Sequence, residues 1–160
     1  MTENSPTLAD GTRGRSIRSR DRRLMRPFIG THRRIIRASR GRILGHMGGN
    51  PLLILTTTGR RTGQPHANPV IGIPDGDDWL IVASNGGAAT QPLWVRNVAA
   101  QPHVTATCRG QTDHYLARIL PPDERNASWP ALVRAYPAYA RMQAKTDRQL
   151  PIVRLEPVPR

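Results

Sequence analysis

The sequence predicts a mainly β domain with helices, an α+β fold whose sheet is mostly antiparallel and curls into a small closed or partly closed barrel. Three observations lead there. Six runs read as strands, at 51–58, 65–73, 79–84, 104–108, 112–120 and 152–155. Tight turns at 59–63, 74–77 and 109–110 join neighbouring runs, and such turns connect antiparallel strands. A chain of 160 residues supplies one hydrophobic core and not two substantial ones.

Residues 1–23 are polar and rich in Arg, Ser, Thr and Gly, so they bury little and are expected to form a disordered basic arm. An amphipathic helical segment is expected over 24–47. Its apolar residues Leu24, Met25, Phe28, Ile29, Ile35, Ile36, Ile43, Leu44 and Met47 alternate with arginines. Pro27 and Gly30 weaken its start, which puts the helix proper at about Thr31 to Leu44, ended by Gly45, Gly48 and Gly49. The barrel domain fills 48–160.

The first strand is rich in Leu, Ile and Thr. Gly59 and Gly63 bracket the turn to the second strand, and Pro74-Asp-Gly-Asp77 turns into the third. A small-residue loop at 85–90 leads into a short helix at 92–99, stopped before Pro102. After the fourth and fifth strands, 123–146 reads as a second helix whose regularity Pro130 and Pro137 limit.

Charge is unevenly placed. Residues 1–42 hold twelve arginines against Glu3, Asp10 and Asp21, a net of +9, which leaves +4 of the total +13 for the other 118 residues. This is a basic arm on a nearly balanced domain. The single cysteine, Cys108, excludes an internal disulfide and a Cys-rich metal site. His32, His46, His66, His103 and His114 show no metal-ligand spacing. No Gly-x-Ser-x-Gly elbow, G-x-G-x-x-G fingerprint or P-loop is present, and the few carboxylates suggest no acid–base pair. No apolar run spans a bilayer and the N-terminus lacks an apolar signal region, so a cytoplasmic protein is expected.

Three segments could carry chemistry, and each has a plain structural alternative. Gly59-Arg60-Arg61-Thr62-Gly63 puts two guanidinium forks and a hydroxyl on one hairpin tip, a match for phosphate or carboxylate oxygens or simply a solvated tip. Ser84-Asn85-Gly86-Gly87-Ala88 can expose backbone N–H groups to a ligand or be an ordinary βα loop. Tyr136 and Tyr139, three residues apart on a helix, can wall a pocket or pack a helix on the sheet. An apolar hairpin with a cationic tip beside a small-residue loop suits a planar cofactor with an acidic tail.

Taken in order, Leu52-Leu-Ile-Leu-Thr-Thr-Thr-Gly-Arg-Arg-Thr-Gly-Gln-Pro65, Asn68-Pro69, Asp75-Gly76, Val82-Ala-Ser-Asn-Gly-Gly-Ala88, Pro92-Leu-Trp94, Asn97, Gln101-Pro-His-Val104, Tyr136-Pro-Ala-Tyr139, Thr146-Asp-Arg148 and Pro151-Ile-Val153 resemble the deazaflavin (coenzyme F420)-dependent nitroreductase and quinone reductase family. The likeness runs co-linearly from about Gly48 to Pro157. It implies the split β-barrel of flavin reductases and FMN-binding proteins. It also implies that Arg60, Arg61 and Thr62 hold the phosphate and polyglutamate end of F420. His66, Ala67, Asn68, Pro69, Val70 and Ile71 would run beneath the ring. Val82, Ala83, Ser84 and Asn85, with Leu93, Trp94, Val95, Arg96 and Asn97, would hold the ring and ribityl chain. Tyr139 and Ser84 would face ring and acceptor as catalytic groups, and Tyr136, Tyr139 and Met142 would line the acceptor pocket. Met142 stands where some members carry a third tyrosine.

The implied function is hydride transfer from reduced F420 to a quinone, enone, nitro compound or similar electron-poor acceptor. Two alternatives remain. One is an FMN-binding split barrel, with Arg60 and Arg61 on the FMN phosphate. The other is a non-catalytic deazaflavin-binding protein held at an anionic membrane by residues 1–42. The arm's Ile, Leu and Met residues suit a membrane surface on the inner face of the cell better than nucleic acid, since Phe28 is its only aromatic.

Overall fold

The computed structural model describes residues 8–14 and 46–159. The expected helix at 31–44 and most of the basic arm lie outside these residues. The described elements are β1 (His46–Met47), β2 (Asn50–Thr58), β3 (Pro65–Ile71), β4 (Ile73–Asp75), β5 (Asp78–Val82), a 3-10 turn (Asn85–Gly87), α1 (Leu93–Ala100), β6 (His103–Cys108), β7 (Gln111–Ile119), α2 (Pro122–Ala135), α3 (Ala138–Ala144) and β8 (Ile152–Pro157).

Every strand pair is antiparallel. The order is β1-β2-β6-β7-β8-β5-β4, with β3 on the other side of β2. The expected second strand, 65–73, is divided at Gly72. β3 pairs with β2 and β4 pairs with β5, so this one bent stretch joins the two sides of the sheet and curls it into the expected barrel. Gly72 donates its N–H to the Pro51 carbonyl at 3.0 Å, and a Cβ there would lie 2.6 Å from Leu53 Cδ1. The bend therefore needs a residue without a side chain.

Alternation along β2 buries Leu53, Leu55 and Thr57 on one face. These leucines join Ile81, Val104, Ala106, Val153 and Leu155 inside the barrel, with Val95 and Val98 of α1 packed against them. A second cluster, around Leu80, Leu120, Leu132, Leu150 and Ile152, seats α2 and α3 on the outside. Each such apolar side chain contributes roughly 1.5–3 kcal/mol when fully buried.

Three expectations about the elements need correction. His46–Met47 falls in the segment read as helical, but it pairs with Asn50 and Pro51 as a short strand. The expected single helix at 123–146 is two. α2 ends at Ala135, and its C-cap Tyr136 has a φ of −143° and a ψ of 89°, outside the helical region, as suits a residue before proline. Pro130 is accommodated within α2. Residues 8–14, part of the arm expected to be disordered, lie along the barrel. Gly11 donates its N–H to Ala89 O at 2.8 Å, and Thr12 and Arg13 donate theirs to the Asp147 carboxylate. A lone carboxylate at the foot of α3 thus gives this polar stretch a partner that its own composition does not advertise.

Gly87 combines a φ of +81° with close approach, since a Cβ would meet the Met142 carbonyl at 2.7 Å. Gly76 has a φ of +64° but nothing within 4 Å. Gly87→Ala is expected to cost about 1–3 kcal/mol for backbone strain plus the displacement of α3, whereas Gly76→Ala costs the strain alone. The difference between the two melting temperatures measures the contact, and equal losses would contradict it.

Candidate active site

The β2–β3 hairpin and α1 are tied together at one point. The Gly59 carbonyl accepts from Gly63 N–H at 2.7 Å and Thr62 N–H at 3.2 Å, which fixes the turn. Arg60 then donates its backbone N–H to Asn97 Oδ1 at 3.2 Å, and Asn97 Nδ2 donates to Thr57 Oγ1 at 3.2 Å. Asn97 is buried on α1, so the turn is held against the helix by an amide with partners on both its ends. Among the described residues, ion pairs form at Arg96, Arg118 and Arg154, and neither Arg60 nor Arg61 takes part in one.

The loop after β5 is held from behind by a buried arginine. Arg148 donates from Nε to Ala88 O at 2.7 Å, from Nη2 to Ser84 O at 2.8 Å, and from Nη1 to Gln91 Oε1 at 2.9 Å and Ala83 O at 3.3 Å. Burial pushes its pKa down, opposed by the charge of Asp10. Asn85 adds a brace across the loop, donating from Nδ2 to Thr90 O at 2.9 Å. Asn85 itself has a φ of +46°, a conformation asparagine tolerates better than most residues.

The corner between α2 and α3 brings two phenols together. The Tyr136 and Tyr139 rings meet edge to face with centroids 5.0 Å apart. Asn50 Nδ2 donates to Ala135 O at 2.8 Å and so satisfies a carbonyl at the α2 terminus. Burial raises the pKa of Tyr139 above the ordinary phenol range, with Tyr136 adding to the effect. Tyr139 is therefore a neutral hydrogen-bond donor at any physiological pH, and not a base.

These three constructions open on one cleft of about 1050 Å³. Of the residues singled out from sequence, Arg60, Asn68, Pro69, Val70, Ile71, Val82, Ser84, Asn85, Leu93, Trp94, Arg96, Tyr136, Tyr139 and Met142 line it. Arg61, Thr62, His66 and Ala67 do not; they continue along the hairpin, the first three exposed. Ala83 and Val95, expected at the cofactor, are fully buried in the barrel core and shape the cleft only from behind. Asn97, expected in the same group, is the anchor of the turn and not part of the wall. Asp10, Met47, Leu52, Gly86, Ala89, Thr90, Gln91 and Pro92 also line the cleft, beyond the residues expected from sequence. Leu52 opens the matched segment at its apolar strand, a signal that was present. Asp10 lies in a polar arm and carries no local signal at all.

Chemically, the cleft offers an apolar wall (Val70, Ile71, Val82, Trp94), an unpaired guanidinium and a pair of phenols. Among the described residues no group of three or more His, Cys, Asp or Glu could hold a metal ion, and no helix is long and apolar enough to cross a membrane.

Comparison with known proteins shows the family. Residues 28–157 match the F420H(2)-dependent quinone reductase family. An F420H(2)-dependent quinone reductase of Mycobacterium tuberculosis is 36% identical over 127 residues, covering 76% of this chain and 85% of the relative. The solved structure of an F420-H2 dependent reductase is 36% identical with a TM-score of 0.61, covering 66% of this chain and 94% of that one. A domain-swapped dimer is 34% identical, also with a TM-score of 0.61, covering 76% and 96%. The chain belongs to the F420H(2)-dependent quinone reductase family.

Proposed function

We propose that this cleft seats coenzyme F420 and that the protein passes a hydride from the reduced cofactor to a quinone held against Tyr136, Tyr139 and Met142. The observation that carries the reading is convergence: the cationic hairpin tip, the Arg148-clamped loop and the tyrosine corner share one cleft. The residues fit the group. Val70, Ile71, Val82 and Trp94 give a ring an apolar bed, and Arg60 gives an anionic tail a partner that no carboxylate of the described residues occupies. When bound, reduced F420 supplies the hydride, and the protein supplies orientation and electrostatics.

In this reading Arg60, with Arg61 and Thr62 further along the turn, binds the phosphate and glutamates. Asn68, Pro69, Val70 and Ile71 back the ring. Tyr139 donates a hydrogen bond to the acceptor oxygen that gains charge, a role that its raised pKa suits. Ser84 holds the second such position on the opposite loop. FMN could also place a phosphate on Arg60, and titration of both cofactors separates the two ligands; family membership favours F420.

The protein is expected to accelerate oxidation of reduced F420 by menadione, followed by cofactor absorbance. Replacing Arg60 and Arg61 together by Ala raises the cofactor KM roughly 10–100-fold, the loss of a charge-assisted contact. Tyr139→Phe lowers kcat about tenfold with the cofactor KM little changed, as fits an interaction made in the transition state. Oxidation no faster than without protein, across several quinones, contradicts the reading.

The arm's net +9 over residues 1–42 suits peripheral contact with anionic lipid, where a lipid-soluble quinone resides. The full chain is expected to float with anionic vesicles and to be released at high salt. Equal flotation after deletion of residues 1–42 removes the arm from the account.

A further inference from the structure

Residues 8–14 do more than lie on the barrel. Asp10 lines the cleft, and both of its oxygens are engaged. Oδ1 accepts from Gln91 N–H at 2.7 Å and Oδ2 from Arg96 Nη2 at 2.7 Å. Gln91 in turn donates from Nε2 to Ala9 O at 3.1 Å and accepts from Arg148. Leu8 packs against the barrel core, and Gly11 leaves no room for a Cβ beside Asp147, whose carboxylate takes Thr12 Oγ1 as well as the backbone N–H groups of Thr12 and Arg13. The segment is thus anchored on both sides of Asp10. The Gln91 and Arg96 hydrogen bonds lower the Asp10 pKa, so the carboxylate stays ionised.

A half-exposed arginine on a short helix has many rotamers, and one short charge-assisted bond selects among them. The same carboxylate neutralises Arg96, so that among the cleft cations only Arg60 is left unpaired. We propose that residues 8–14 form an N-terminal strap that completes the cofactor site, with Asp10 as a positioning residue that fixes Arg96 and the 84–91 loop in their binding arrangement. The inference rests on the cleft being the F420 site. It adds a residue far away in sequence whose effect is exerted through Arg96 and Gln91.

The test uses the full chain, its Asp10→Ala and Asp10→Asn variants, Arg96→Met, and the Asp10→Ala/Arg96→Met double variant. F420 is titrated through the fluorescence of the tryptophans, one of which lines the cleft. Asp10→Ala is expected to weaken F420 binding about tenfold, the worth of one charge-assisted hydrogen bond. Asp10→Asn keeps an oxygen for Gln91 N–H and loses less. In the Arg96→Met background, Asp10→Ala costs less than in the unmodified protein, as coupled residues require, with the Gln91 contact accounting for the remainder. A strap that merely adds stability would lower the melting temperature and leave these affinities and their non-additivity untouched.

Tighter binding by Asp10→Ala overturns the proposal, since it makes Asp10 a competitor of the anionic cofactor. Unchanged or additive effects overturn it too. Amide exchange in the cofactor-free protein gives an independent readout: Asp10→Ala speeds exchange at Gln91 and across 84–91, and unaltered exchange contradicts the positioning role. Failure of the unmodified protein to bind F420 would instead refute the cofactor assignment.

Discussion

The cleft depends on a charge placed where charge is costly. Arg148 is 5% exposed, and ionised groups are normally kept in water. It is tolerated because its hydrogen bonds end on Ala83, Ser84, Ala88 and Gln91, four acceptors that belong to a single loop. Three of these are backbone carbonyls, of which Ser84 O also accepts from Gly87 N–H at 2.9 Å within the loop. The guanidinium does for this loop what a neighbouring strand does for a β-strand, and Ser84, Gly86 and Ala89 of the loop line the cleft.

Around that clamp the barrel supplies the other walls. Gly72 lets one stretch of chain pair with β2 as β3 and with β5 as β4, so the residues from Asn68 to Ile71 line the cleft opposite the loop. Asn97 pins the hairpin tip to α1, which sets Arg60 on the same side as Arg96. The break at Tyr136 turns α3 so that Tyr139 and Met142 reach the cleft while Tyr139 remains in the second core cluster. Each device positions side chains that line the cleft, and two of the three, at Gly72 and Tyr136, are local departures from regular structure. Departures of this kind cluster at functional sites because regular helices and strands satisfy only themselves.

The strands were legible because residue content and turn chemistry are local signals. The Leu/Ile/Thr-rich run forms β2, the structure adds that Leu53, Leu55 and Thr57 are its buried face, and the turn at 59–63 forms where two glycines bracket it. The tyrosine pair was legible from its spacing, though not the break between the two helices. Ala83, Val95 and Asn97 come to the cofactor group only through the family resemblance, and their side chains are buried behind the cleft wall, where strand and helix periodicity turns them. The roles of Arg148, present in the matched Thr146-Asp-Arg148 segment, and of Asp10 were illegible for another reason. Their partners lie 57 or more residues away in sequence, and neither residue differs in type from solvated neighbours around it. A polar side chain declares its role only when the fold shows what it faces.

The central claim is that one cleft holds the cofactor between the Arg148-clamped loop and β3, with its acidic tail toward Arg60. A crystal structure of the F420 complex tests it most directly. The account predicts density for the deazaflavin ring beside Val70, Ile71 and Trp94, and for the phosphate at the Gly59–Gly63 turn. A cofactor bound instead in the second groove, lined by Thr56, Thr58, His103 and His114, would contradict it.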